Sequence, residues 1–210
     1  MAPPAEESPP VGPAVASPEA LDEPTIVSRA QDGDAKAFEW LVSAHQGGVY
    51  RLCYRMLNDR SAAEDVVQET FISIWRGLPH LASPQTFVPW LYRSATNKCL
   101  DALRSRKRHP SDPMALEDLE DAPPVHGGDV MAGGAAGDPA RECEIQAQMR
   151  ALAVLLRAVP PGPRACWLLR EVHEFSYCEI ARIAQVSEST VRGRIARAKR
   201  FLAEGMASWR

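Results

Sequence analysis

Cysteine is scarce in this chain and poorly placed for either of its usual structural uses. The 210 residues hold five cysteines, an odd number with no C-x-x-C pair and no clustered histidine partners. That excludes a disulfide framework and a structural zinc site as the organising device. Cys53 and Cys99 fall on apolar helical faces and read as small core residues. Cys143, Cys166 and Cys178 are open to redox chemistry, with packing or simple exposure the plainer role. No hydrophobic run is long enough to span a membrane, and the acidic, proline-rich first residues lack the basic-then-apolar order of a secretory signal. The expected compartment is the cytosol. There is no nucleophile elbow, glycine-rich phosphate loop or metal-ligand spacing, so an enzyme built on Cys166 or Cys178 with His173 has little support, and neither a catalytic residue nor a cofactor is expected. No segment alternates over strand length, and the expected fold is all-α.

What the chain does have is helical periodicity in two blocks. Residues 1–24 are rich in Pro, Ala and Glu and read as a disordered tail. A first domain follows over 25–109. In it Phe38, Leu41, Val42, His45, Val49, Leu52, Cys53 and Met56 mark a long amphipathic helix ending near Asn58. Asp59 or Ser61 opens another helix, reaching about Arg76, and a third runs from about Thr86 with Pro89 tolerated in its first turn. Residues 110–140, acidic and broken by Pro and Gly, have linker composition. A second helical domain occupies 141–210, interrupted by Pro160–Pro163.

The net charge of −3 conceals islands of opposite sign. Arg104, Arg106, Lys107, Arg108 and His109 form one basic cluster, and the C-terminal helix carries another. The densest pattern is Phe175 to Leu202. Ser176 with Glu179 forms a capping box, Ser187 can cap a second helix, and Gln185 and Val186 occupy the turn between. Ile180, Ile183, Ala184, Val186, Val191 and Ile195 recur at helical spacing, which makes this a helix-turn-helix. Glu188, Ser189, Arg192, Arg194, Arg197, Lys199 and Arg200 are left outside, an arrangement suited to a DNA major groove.

Two faces in the first domain also carry chemistry. Glu64, Asp65, Gln68 and Glu69 form an acidic stripe opposite Ala63, Val66, Val67, Phe71 and Ile74, either a solvated surface or a docking face for a basic protein. In the next helix Trp90, Arg93, Asn97, Asp101, Arg104 and Arg108 lie opposite Leu91, Tyr92, Ala95 and Cys99. Aromatics and guanidinium groups on one face can stack on unpaired bases and hold phosphates. The alternative for Phe87 and Trp90 is a place between helices.

EDVVQETFISIW at 64–75, TFVPWLYRSATNKCLDALRSRKR at 86–108 and LLREVHEFSYCEIARIAQVSESTVRGRIARAKRFL at 168–202 together resemble the bacterial sigma-70 family, and the two-domain layout resembles its extracytoplasmic-function (ECF) subfamily. The resemblance implies an RNA polymerase sigma factor with a region 2 domain, a linker and a region 4 domain. Its partners would be core RNA polymerase through the β′ clamp helices and β flap, promoter DNA, and an anti-sigma factor that could hold the protein at the membrane. It assigns Glu64, Asp65, Gln68 and Glu69 to polymerase docking. Phe87, Trp90, Arg93, Asn97, Arg104 and Arg106 go to minus-10 recognition and melting, with the loop His80–Gln85 receiving a flipped base. Glu188, Ser189, Thr190, Arg192, Gly193, Arg194 and Arg197 go to the minus-35 element. Glu117, Asp118, Glu120, Asp121 and Asp129 of the linker would mimic RNA charge. Two positions depart from the family. Gln185 stands where glycine is usual in the turn, and Gly193 interrupts the recognition helix. The alternative function is a stand-alone helix-turn-helix regulator.

Overall fold

The computed structural model describes residues 22–108 and 152–207, all of the regular structure in them helical. The linker at 110–140 and the periodic positions Ile145 and Met149 lie outside these residues, as do residues 1–21.

Helix α1 (Glu23–Gln31) begins two residues inside the stretch expected to be tail. The reason is local. Asp22 precedes it, Pro24 sits in the first turn where its missing N–H costs nothing, and Ile26, Val27 and Ala30 give it a buried face against the next helix. Helix α2 (Ala35–Leu57) is capped by Asp34, whose carboxylate accepts from the amides of Lys36 and Ala37 and pairs with Arg29 at 2.5 Å. It stops at Asn58, left-handed at φ 51°, a conformation asparagine tolerates better than most residues. Asp59 then caps α3 (Arg60–Gly77) by accepting from the Ala62 amide at 2.9 Å. After short 3₁₀ turns at Leu78–His80 and Pro84–Thr86 comes α4 (Phe87–Arg108), with Pro89 in its first turn as expected. Leu41, Leu52, Met56, Ile74, Leu78 and Leu91 are wholly buried between these helices. Truncating one such side chain to alanine costs about 2–5 kcal/mol, so this layer fixes the helices' mutual positions.

The second domain contains residues 152–158 (α5), α6 (Pro161–Glu171), α7 (Tyr177–Ala184) and α8 (Glu188–Gly205). Pro161 opens α6 rather than merely breaking what precedes it. Leu168, Leu169, Ile180, Ile183, Val191 and Ala198 close the core. The two domains are in contact. Helix α4 packs on α6 and α7, α2 packs on α6, and the buried Arg164 donates to the Met56 carbonyl at 2.6 Å as well as to the Val159 and Arg157 carbonyls of its own domain.

Candidate polymerase and DNA interfaces

A groove of about 1230 Å³ runs between α2 and α3. Asp65, Gln68, Ile72 and Trp75 lie along its α3 wall at spacings of three and four, and Phe38, Val42 and Tyr50 face them from α2. Ile72 and Trp75 are 46% and 40% exposed, unusual for such side chains, and Trp75 rests on Phe38 with ring centroids 4.6 Å apart. Of the acidic stripe, Glu64, Asp65 and Gln68 line the groove, whereas Glu69 reaches instead to α4. Glu64 pairs with Arg60 at 3.0 Å and Glu69 with Lys98 at 3.4 Å, both solvated. Expectation from sequence found the charges and missed the apolar floor. The signal was present, since Ile72 and Trp75 continue the polar face of α3 at helical spacing and have no place in its core stripe.

On α4 the nominated residues divide. Arg93, Asn97 and Arg104 are exposed on one side, Arg104 paired with Asp101 at 2.7 Å. Trp90 is half-buried, its indole over Gly77, where a Cβ would sit 2.9 Å from Cζ2. Phe87 is wholly buried, its ring 5.7 Å from that of His45 and 6.5 Å from Trp90. It backs Trp90 from inside the core, so the interhelical alternative describes it. Arg106 also turns inward, bonding Asp59 at 2.5 Å and the Leu57 carbonyl at 3.5 Å, and so closes the α2–α3 corner instead of extending the basic face. The loop before α4 is held by α1, whose Gln31 side chain donates to the carbonyls of Leu78 and Leu81 at 3.2 and 2.8 Å.

The helix-turn-helix follows the spacing closely. Ser176 and Glu179 make both halves of the capping box, Gln185 adopts φ 52° and ψ 47°, and the Ser187 hydroxyl accepts from the Thr190 amide at 3.3 Å. Glu188, Ser189, Thr190, Arg192, Gly193 and Arg197 are exposed along α8. Arg194 is not. It is half-buried with its guanidinium against Gly162 and close enough to the Cys166 thiol to act on it, so it packs α8 onto α6. Burial pushes the Cys166 thiol up despite that guanidinium, and the residue behaves as core. Sequence reasoning missed the cluster beside α8. Arg170 and Arg192 lie 5.1 and 5.4 Å from the centre of the Tyr177 ring, and Lys199 pairs with Glu171 at 2.9 Å. Nothing lies within 4 Å of a Cβ built on Gly193, so its missing side chain serves no internal packing.

Among the described residues no group of His, Cys, Asp and Glu could hold a metal ion, and no helix is long and apolar enough to cross a membrane.

An apolar, acid-rimmed groove on one helical domain and a basic helix-turn-helix on a second define a protein that joins a protein partner to DNA. The comparisons agree. Residues 41–109 match the family described as Sigma-70 region 2, and residues 149–202 match Sigma-70, region 4. The RNA polymerase sigma-H factor of Pseudomonas aeruginosa is 34% identical over 83% of this chain and 88% of its own. The ECF RNA polymerase sigma-E factor of Haemophilus influenzae is 33% identical over 88% and 95%. The sigma factor RpoE of Bartonella quintana, solved with the anti-sigma factor NepR, shares the fold with a TM-score of 0.60 at 20% identity, over 84% of this chain and all of that one. The chain belongs to the sigma-70 family, in its ECF branch. It is an RNA polymerase sigma factor, a transcription initiation factor that acts with core polymerase at promoter DNA.

Proposed function

We propose that the α2–α3 groove receives the β′ clamp helices of core polymerase, that the outer face of α4 opens and reads the minus-10 element, and that α8 reads the minus-35 element. The observation that carries this reading is the groove itself. Trp75 and Ile72 are exposed beside Phe38, with Glu64, Asp65 and Gln68 lining the same groove. An aromatic anchor at the centre of a patch supplies most of the affinity, while surrounding carboxylates steer a basic partner and fix its orientation. On α4, Trp90 offers a stacking edge and Arg93, Asn97 and Arg104 offer phosphate and base contacts. Phe87 seats Trp90, and Arg106 holds the corner beneath it. On α8, Arg192 and Arg197 with Glu188, Ser189 and Thr190 make the major-groove face; Gly193 lets the helix approach the backbone; Arg194 positions the helix from behind.

The domains are assigned as region 2 through residue 109 and region 4 from about residue 141, with the β flap as the second polymerase contact. The protein carries no catalytic group of its own and works in the cytoplasm. An anti-sigma factor belongs among its partners, by analogy with the complex of the Bartonella quintana protein. The test is transcription with purified chain and core polymerase lacking other sigma factors. Defined start sites should depend on this chain and vanish with Asp65→Arg together with core binding. Unaltered core affinity in that variant would remove the groove assignment, and promoter binding without polymerase would favour a stand-alone regulator.

A further inference from the structure

The contact between the domains is made by a small set of residues with unusual chemistry. Tyr92, on the inner side of α4, places its ring edge-on to both His173 and Phe175, with centroids 5.0 and 4.8 Å away, and its hydroxyl is 3.3 Å from His173 Nδ1. It reaches there because residue 48 is glycine; a Cβ at that position would collide with the tyrosine hydroxyl. Arg164 fastens the other end of the contact to the Met56 carbonyl. His173 Nε2 is buried and has no hydrogen-bond partner among the described residues.

The surroundings of His173 are hostile to a positive charge. From α2 it is faced by Arg51 and Arg55, and from α4 by the Tyr92 phenol, which burial holds protonated by raising its pKa to about 12. The nearest acids in sequence do not compensate. Glu171 is paired with Lys199, and Glu174 is exposed. A neutral ring accepts the Tyr92 proton at Nδ1. In that tautomer Nε2 already carries the proton and is unpaired, so what an imidazolium adds is a second donor at Nδ1, turned toward a hydroxyl that had been donating, and a positive charge with no acid beside it.

We propose that His173 is a proton-operated latch between the two domains: neutral, it holds the second domain on the first, and charged, it releases it.

The sign follows from the two states. In the docked state burial, then Arg51 and Arg55, push His173 down to about 4, whereas a ring released into water titrates near about 6.5. Docking is therefore complete above the released value and is lost as pH falls toward the docked one. The equilibrium shifts toward release about 10-fold at pH 5.5, with a limit of about 300-fold at lower pH. Release matters because two domains in contact cannot each address a separate promoter element. That consequence rests on the roles proposed for α4 and α8; the latch does not.

The experiment is an NMR titration of the histidine ring protons of the full chain, the His173 signal being assigned by its loss in His173→Gln. Small-angle scattering at pH 7.5 and 5.5 accompanies it. The expected result is a His173 midpoint below 5, with a wild-type radius of gyration that grows on acidification while that of folded His173→Gln stays constant. A midpoint near 6.5, or equal expansion of both proteins, overturns the latch. Since neither measurement involves polymerase or DNA, a failed transcription assay would leave this result standing, and the converse also holds.

Discussion

The groove between α2 and α3 and the outer face of α8 both lie on helices, yet they expose opposite chemistry. In the groove, large apolar side chains reach solvent and acids surround them. On α8, arginines and hydroxyls are exposed while Val191, Ile195 and Ala198 are all buried. The first pattern gains chiefly from removing water from an apolar floor, with the surrounding carboxylates adding a smaller, salt-screened share. The second gains from displacing counterions and should weaken steeply as salt rises. One molecule thus carries two interfaces that experimental conditions can separate.

The sharpest way to break this contrast is Trp75→Ala. It should weaken core-polymerase binding by about 2 kcal/mol or more, roughly 30-fold, and leave minus-35 duplex binding unchanged. Competition binding on core enzyme and a duplex shift assay read the two outcomes. If both change together, the faces are coupled and the contrast fails. Arg192→Ala is the complementary change, with an expected cost of about 1–3 kcal/mol in duplex binding, relaxed specificity and intact core affinity. A smaller effect is expected from Asp59→Ala, at neither face, which removes a cap and the partner of Arg106. Partial burial raises the Asp59 carboxyl, but the Ala62 amide and the Arg106 guanidinium outweigh it and hold the group below its ordinary value. The stability it adds is thus present above the unfolded carboxylate pKa and lost as pH falls through the folded one. Denaturant unfolding should show a loss of about 1–2 kcal/mol at pH 7 that fades in acid. The smallest effect is a gain. Gln185→Gly relieves a left-handed residue and should raise stability by about 0.5–1 kcal/mol without altering either interface.

Much of this was legible in the sequence wherever one short segment determines the answer. The capping box at Ser176, the left-handed Gln185 and the cap at Ser187 depend on residues within four positions of one another. Helix α1 was hidden by its neighbours in the chain, because Pro and Glu belong equally to a disordered tail and to a first helical turn. Phe87, Arg106 and Arg194 show a different limit. Helical spacing gives each an angle around its own axis, but whether that angle meets solvent depends on helices distant in sequence. For Arg106 the deciding partner is Asp59, and for Arg194 it is the Gly162 turn. The Tyr92–His173 contact, 81 residues apart, left no local trace at all.

The last turn of α3 has a mechanical consequence. Trp75 stands on it in the groove, and two residues later Gly77 supports the indole of Trp90. Helix α3 is 18 residues long, about 27 Å of stiff rod, anchored at this end by the wholly buried Ile74 and Leu78, so the groove's aromatic and the seat of Trp90 are held at a fixed spacing by a single helical turn.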